Sequence, residues 1–170
     1  MTLIRPYRDV APRIAEDAFV APGAVVIGDV SIGSLANIWY GCVLRGDVGY
    51  IRIGARSNVQ DLCCIHMTTD LSNAVIGEEV TIGHGVIVHG AEIGDGALIG
   101  MGAILMDNAV IGADALVAAG SLVPAGMQVP PRTLVRGQPA RIVRELREDE
   151  WSQGRRGAAR YLDLSAAHRG

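Results

Sequence analysis

Residues 93–123 read IGDGALIGMGAILMDNAVIGADALVAAGSLV. An aliphatic side chain stands at every sixth position: Ile93, Ile99, Leu105, Ile111, Val117 and Val123. The same rhythm runs earlier as Ile14, Val20, Val26, Ile32, Ile38 and Leu44, then as Ile53, Val59 and Ile65, then as Ile76, Ile82 and Val88. All 18 positions are Ile, Val or Leu, types that supply only 47 of the 170 residues, so chance does not produce the pattern. A step of six fits neither a helix, with about 3.6 residues per turn, nor the alternation of about 2 in an amphipathic strand. It fits short strand, turn, short strand, with one aliphatic side chain pointing inward per step. Gly follows the aliphatic residue at Ile32, Ile53, Ile76, Ile82, Ile93, Ile99 and Ile111, and supplies the freedom such turns need. Three faces close a triangle of about 18 residues per coil, and stacked coils make a solenoid.

The rhythm breaks in three places. Leu44 to Ile53 is nine residues, Ile65 to Ile76 eleven and Val88 to Ile93 five, so loops or bulges are expected there. The largest is expected between Met67 and Asn73. After Val123 the prolines 124, 130, 131 and 139 predict an extended connection. Leu146 to Ala167 reads as helix, with Trp151, Ala158, Tyr161, Leu162 and Ser165 spaced to dock on the solenoid. The expected organisation is mainly β: a solenoid domain over 1–140 and a C-terminal α-helical segment over 141–170 that packs on it.

Hydrophobic residues make up 49% of the chain but aromatic residues only 4%, so the core is aliphatic. A net charge of −3 and a pI near 5.8 point away from nucleic acid. The pair Arg155-Arg156 fits a solvated helix face. Cys42, Cys63 and Cys64 are odd in number and include a vicinal pair, unlike a disulfide framework. Of the pair, one side chain is expected in the core and one outside. Reduced thiols, no apolar signal core in residues 1–7 and no membrane-length apolar run suggest a soluble cytoplasmic protein.

The chemistry gathers between Arg45 and His89, which holds three of the four histidines. Counting each interval as one step, Leu44, Ile65 and Val88 share a face of successive coils. The residues that follow them, Arg45, His66 and His89, form a column with neighbours about 4.8 Å apart. Two imidazoles at that spacing can share a metal ion. His84 falls two residues after Ile82 and Asp61 two after Val59, so these two form a second column on the preceding face. One chain does not easily bring the columns together. A neighbouring chain does, if three triangular prisms pack about a threefold axis. The inferred site takes His66 and His89 from one subunit and His84 from the next. Three imidazoles plus water is a common catalytic zinc sphere, and such an ion lowers the pKa of water to about 7 and makes hydroxide available. Three histidines also suit Fe²⁺ or Co²⁺. Gln60 is placed to orient that hydroxide or the substrate, although a plain solenoid-surface role is also open to it. Arg45, with Asp47 and Asp61, reads as an ion pair across the subunit boundary. Tyr161 reads first as helix packing and second as a residue reaching the site.

Together, Arg45-Gly46-Asp47, Asn58-Val59-Gln60-Asp61, His66, Gly83-His84 and His89-Gly90 resemble the gamma class of carbonic anhydrases and their bacterial homologues. The resemblance runs from about Phe19 into the C-terminal helix. It implies a left-handed parallel β-helix, an exception to the right-handed crossover rule. It also implies a homotrimer with a metal at each interface bound by His66, His84 and His89, with Gln60 and Asn58 in the active site and Arg45 and Asp47 at the interface. The implied reaction is reversible hydration of CO₂ to bicarbonate. Two features depart from the founding archaeal enzyme. Val48 replaces the glutamate after the Arg-Gly-Asp tripeptide, and the 67–73 loop has no proton-shuttling glutamate, only Asp70. Two other readings are an acyl-CoA thioesterase or acyltransferase of the hexapeptide class and a non-catalytic trimeric scaffold with a structural metal.

Overall fold

Sixteen of the eighteen sixth-position side chains lie in the interior, each at most 4% exposed; Ile14 and Val20, at the N-terminal end, are partly covered. In the computed structural model, which describes residues 2–169, they line the axis of a parallel β-solenoid of about seven turns. Most strands are two or three residues long, and each pairs in parallel with the strand one coil on. One face stacks Phe19–Val20, Asn37–Ile38, Asn58–Val59, Thr81–Ile82, Leu98–Ile99, Leu116–Val117 and Thr133–Gly137. A second carries Cys64–His66, Ile87–His89, Ile104–Leu105 and Leu122–Val123; the third carries Ala74–Ile76, Glu92–Ile93, Val110–Ile111 and Gln128–Val129. Alanines at 91, 97, 103, 109 and 115 fill the corners at 1% exposure or less, where a larger side chain would push the faces apart.

Of the loop or bulge expected from Leu44 to Ile53, the structure forms the bulge. Val43–Ile53 is one strand of 11 residues, paired with Val25–Ile32, and both bend round a corner to join two faces into one sheet. The bend is made by glycine: Gly28 has φ +77°, and a Cβ there would meet the Gly46 carbonyl carbon at 2.9 Å. The surplus residues form a bulge opposite Gly28 and Val30. The 67–73 segment is a loop, as expected.

The repeat also continues past Val123, through Val129 at 3% exposure and Val135 at 0%. Pro124, Pro130 and Pro131 sit at the ends of strands or in turns, where a missing N–H costs little, so they do not end the solenoid. Ala140–Glu145 then folds back antiparallel on Thr133–Gly137. The predicted helix divides at Ser152 into α1 (Glu148–Trp151) and α2 (Gln153–His168). Helix α2 lies on the first face with Gly154, Ala158 and Ser165 buried. Tyr161, Leu162 and Trp151 are partly covered, the last by the Arg132 guanidinium 4.7 Å from its ring centroid. Gly154 is an unpredicted contact. A Cβ there would meet the Ala97 carbonyl oxygen at 2.7 Å, so only glycine lets the helix come so close. Cys42 and Cys63 are buried and Cys64 is exposed, the expected division of the vicinal pair.

Candidate metal centre

His66 and His89 end equivalent strands and are direct register partners, one coil apart. Their ring centroids lie 5.6 Å apart at 62°, an edge-on rather than stacked pairing. Arg45 continues the column one coil below, since Leu44 pairs with Ile65. His84 belongs to the other face: Ile82 pairs with Val59, and His84 lies over Asp61. Among the described residues, one chain gathers no group of three His, Cys, Asp or Glu side chains able to hold a metal.

Each histidine faces a carboxylate, and His66 and His89 are hydrogen-bonded to theirs. His84 Nδ1 lies 2.9 Å from Asp61, His89 Nδ1 3.2 Å from Asp107, and His66 Nε2 3.0 Å from Asp47. An ionised carboxylate only accepts, so in His66 and His89 the facing nitrogen carries the proton and the opposite nitrogen keeps its lone pair. That leaves Nε2 of His89 and Nδ1 of His66 as donors for a cation, the donor set a metal-ligating histidine shows when a carboxylate fixes its tautomer, and His84 presents its imidazole on the other face. The chemistry of the three side chains therefore fits a divalent ion. Partial burial pushes the Asp47 carboxyl up, but hydrogen bonds from Arg45 and His66 outweigh it and hold the group below the usual carboxylate range. Asp107 behaves alike: burial raises it, while Ser72, Thr68 and then His89 lower it further.

Arg45 and Asp47 pair within the chain at 2.6 Å, and the arginine side chain stays 43% exposed. Asn58 and Gln60 are buried and belong to a directed hydrogen-bond chain. The Thr81 hydroxyl donates to the Gly154 carbonyl of α2 at 2.7 Å, so its oxygen accepts from Asn58 Nδ2 at 2.9 Å. Asn58 Oδ1 in turn accepts from Gln60 Nε2 at 3.1 Å. The helix thus fixes which end of the Gln60 amide is which, leaving its carbonyl oxygen as the acceptor end. Gln60 and His84 line a cleft of about 250 Å³ walled by Leu98, Ile99 and Met101. Tyr161 packs edge-on against Trp39 with centroids 5.1 Å apart, and burial, with the nearby Asp61 charge, pushes its phenol up.

The family described as bacterial transferase hexapeptide (six repeats) matches residues 11–46 and 90–125. Gamma carbonic anhydrase 1, mitochondrial, of Arabidopsis thaliana is 44% identical over 165 residues; they cover 94% of this chain and 60% of that protein. A Geobacillus kaustophilus protein named carbonic anhydrase is 44% identical over 161 residues, 95% of this chain and 88% of its own. The chain belongs to the gamma carbonic anhydrase family. The fold of this family extends to proteins named otherwise. A solved structure described as a hexapeptide transferase family protein, from Anaplasma phagocytophilum, matches with a TM-score of 0.93 at 42% identity, covering 97% of each chain.

Against the gamma carbonic anhydrase pattern read from the sequence, the structure adds Asp107 and Thr81. Asp107 stands two residues after Leu105, the offset at which Asp61 and His84 follow their own aliphatic residues. Applying that offset one coil above His89 would have found it. Thr81 carries no such signal, because its role comes from a helix more than 70 residues away in sequence.

Proposed function

We propose that the chain is a metal-dependent, carbonic anhydrase-like enzyme that interconverts CO₂ and bicarbonate at sites built between copies of a homotrimer. The observation that carries this is the set of three histidines, each facing a carboxylate, split between two faces. His66 and His89 of one copy and His84 of the next would hold the ion. Zn²⁺, or Fe²⁺ or Co²⁺ in its place, supplies when bound a Lewis acid that lowers the pKa of water to about 7. The acceptor end of Gln60 takes a hydrogen bond from a water or a bicarbonate hydroxyl in the cleft, and Asn58 holds that amide in place. The apolar wall of Leu98, Ile99 and Met101 suits a small nonpolar substrate. The 67–73 loop offers one carboxylate, Asp70, so proton export is expected to depend on buffer.

The histidine face also supports assembly. Beside His66 and His89 run Val43, Cys64, Ile87, Ile104 and Leu122 in one outward column, with Ile87 38% exposed. A partner copy would cover this stripe and meet the exposed Arg45. Among the described residues no helix is long and apolar enough to cross a membrane.

Stopped-flow CO₂ hydration with metal-loaded protein tests the reading. A rate well above that of His89→Ala supports it, and an equal rate contradicts it. The similarity to proteins named transferases favours a second reading, acyl transfer from coenzyme A or hydrolysis of its thioesters. Acyl-CoA turnover without hydration would put that reading first.

A further inference from the structure

Asp107 touches two regions at once. Its Oδ1 accepts the Ser72 hydroxyl at 2.5 Å and its Oδ2 the Thr68 hydroxyl at 3.1 Å, both from the 67–73 loop. On its other side His89 Nδ1 lies 3.2 and 3.3 Å from the two oxygens. The side chain is 12% exposed, so few waters stand ready to replace these partners. The backbone around it is pinned: Gly126 N–H donates to the Asp107 carbonyl at 3.0 Å, and Asn108 N–H to the Gly90 carbonyl at 2.7 Å. Gly90, at φ +66°, makes room, since a Cβ there would come within 2.5 Å of Asp107 Oδ1.

We propose that Asp107 is a positioning residue that couples the order of the 67–73 loop to the grip of His89 on a divalent cation; this rests on the metal reading above. The carboxylate plane is fixed by three donors, two hydroxyls from the loop and one imidazole. When the loop swings away, two of the three go, and the group that sets the His89 tautomer is free to turn. In the other direction, a cation on Nε2 draws density from the ring and makes Nδ1–H a stronger donor to Asp107. The carboxylate is then held in the rotamer that Ser72 and Thr68 need. Coupling between two binding equilibria is reciprocal, so metal must order the loop by the factor by which the ordered loop strengthens metal binding.

The test uses the purified protein with Co²⁺ and Zn²⁺, measuring affinity by chelator competition, the Co²⁺ absorption spectrum, and amide exchange of residues 67–73 with and without metal. In the unmodified protein, metal is expected to slow loop exchange. In Asp107→Asn, affinity is expected to fall about 10- to 100-fold, the usual cost of losing a carboxylate behind a ligating histidine, with an altered spectrum and loop exchange that no longer responds to metal. Ser72→Ala, a loop change that leaves Asp107 in place, covers the case in which Asp107→Asn does not fold. It should loosen the loop, weaken metal binding several-fold and shrink the metal response. Unchanged affinity and metal-dependent loop protection in either variant would overturn the coupling while leaving the metal reading intact. An unmodified protein that takes up no metal would overturn both.

Discussion

The solenoid has an uninterrupted C-terminal stretch and an interrupted middle, and they do different work. From Ile93 to Val135 every step is six residues, and alanines fill the corners up to Ala115. From Leu44 to Ile93 three steps are off length. The three histidines, Arg45, Asp47, Asn58, Gln60 and Asp61 all fall in that second stretch. A regular hexapeptide coil turns its outward side chains to equivalent places on every turn. Extra or missing residues lengthen a strand, raise a loop or tighten a corner, and so bring unlike groups together. Regularity builds the rod and contributes Asp107 and the cleft wall, and the departures from it bring the histidines into place.

Two glycines allow a direct comparison of the two stretches. Gly90 and Gly102 have nearly the same φ, +66° and +67°, but a Cβ on Gly102 meets nothing within 4 Å, whereas one on Gly90 runs into Asp107 and Ser72. Gly102→Ala is expected to cost about 1–2 kcal/mol, the strain of a left-handed alanine. Gly90→Ala should cost about 1–3 kcal/mol more, because the loop anchor must shift. Urea unfolding of both variants measures the gap, and equal costs would mean that the interrupted middle is no more tightly specified than the regular stretch.

A smaller effect is expected where helix α2 meets the interrupted middle. Thr81→Val leaves Asn58 Nδ2 and the Gly154 carbonyl without their shared hydroxyl, at about 1–3 kcal/mol for a buried polar group left short of a partner. Thr81→Ser restores the hydroxyl. If the directed chain sets the Gln60 amide, Thr81→Ser recovers hydration activity as well as stability. Recovery of stability alone would assign Thr81 a purely structural role.

Much of this comparison was legible in the sequence, because an axial side chain at a fixed step is a pattern that packing cannot disguise. The step placed His66 over His89 and His84 over Asp61 without coordinates. Of the loop or bulge that the Leu44–Ile53 interval predicts, the structure forms the bulge. The length of the interval looks like an insertion, yet the Gly28 and Gly46 corner lets the extra residues stay in a strand. Pro124, Pro130 and Pro131 predict an end to the repeat at Val123, yet it runs on to Val135, because proline is tolerated wherever no ladder hydrogen bond is required. Gly154 and Thr81 were invisible, since helix docking is decided by shape between distant segments and leaves no local period.

The smallest effect concerns the clamp by which helix α2 ties the two stretches together. Arg155 of α2 bridges Glu79 and Asp114, the latter at 2.8 Å, and Arg56 joins Glu79 at 2.8 Å. Hydrogen bonds from Arg155 and then Arg56 hold the Glu79 carboxyl below its ordinary value of 4.5. A depressed carboxylate stabilises the folded state above its unfolded pKa, and that contribution disappears as pH falls through the lower, folded value. The helix clamp should therefore be complete at neutral pH and weaken only in acid below about pH 4.5, by less than about 1 kcal/mol for partly exposed partners. Trp39 packs on Tyr161 of α2, so its fluorescence reports the docking. Glu79→Gln should flatten that acid transition; an unchanged transition would place the acid-sensitive contact elsewhere.

Metal content after subunit mixing tests most directly the claim that the site belongs to two copies. On that account, His84→Ala and His66→Ala homotrimers would each lack a ligand at every site. In a mixed trimer, a His84→Ala subunit still offers His66 and His89, and a His66→Ala neighbour still offers His84. Co-refolding the two variants is predicted to restore part of the bound metal, in proportion to the junctions of that kind. Mixed trimers that form and bind no metal, or a monomer that binds it fully, would contradict the shared site.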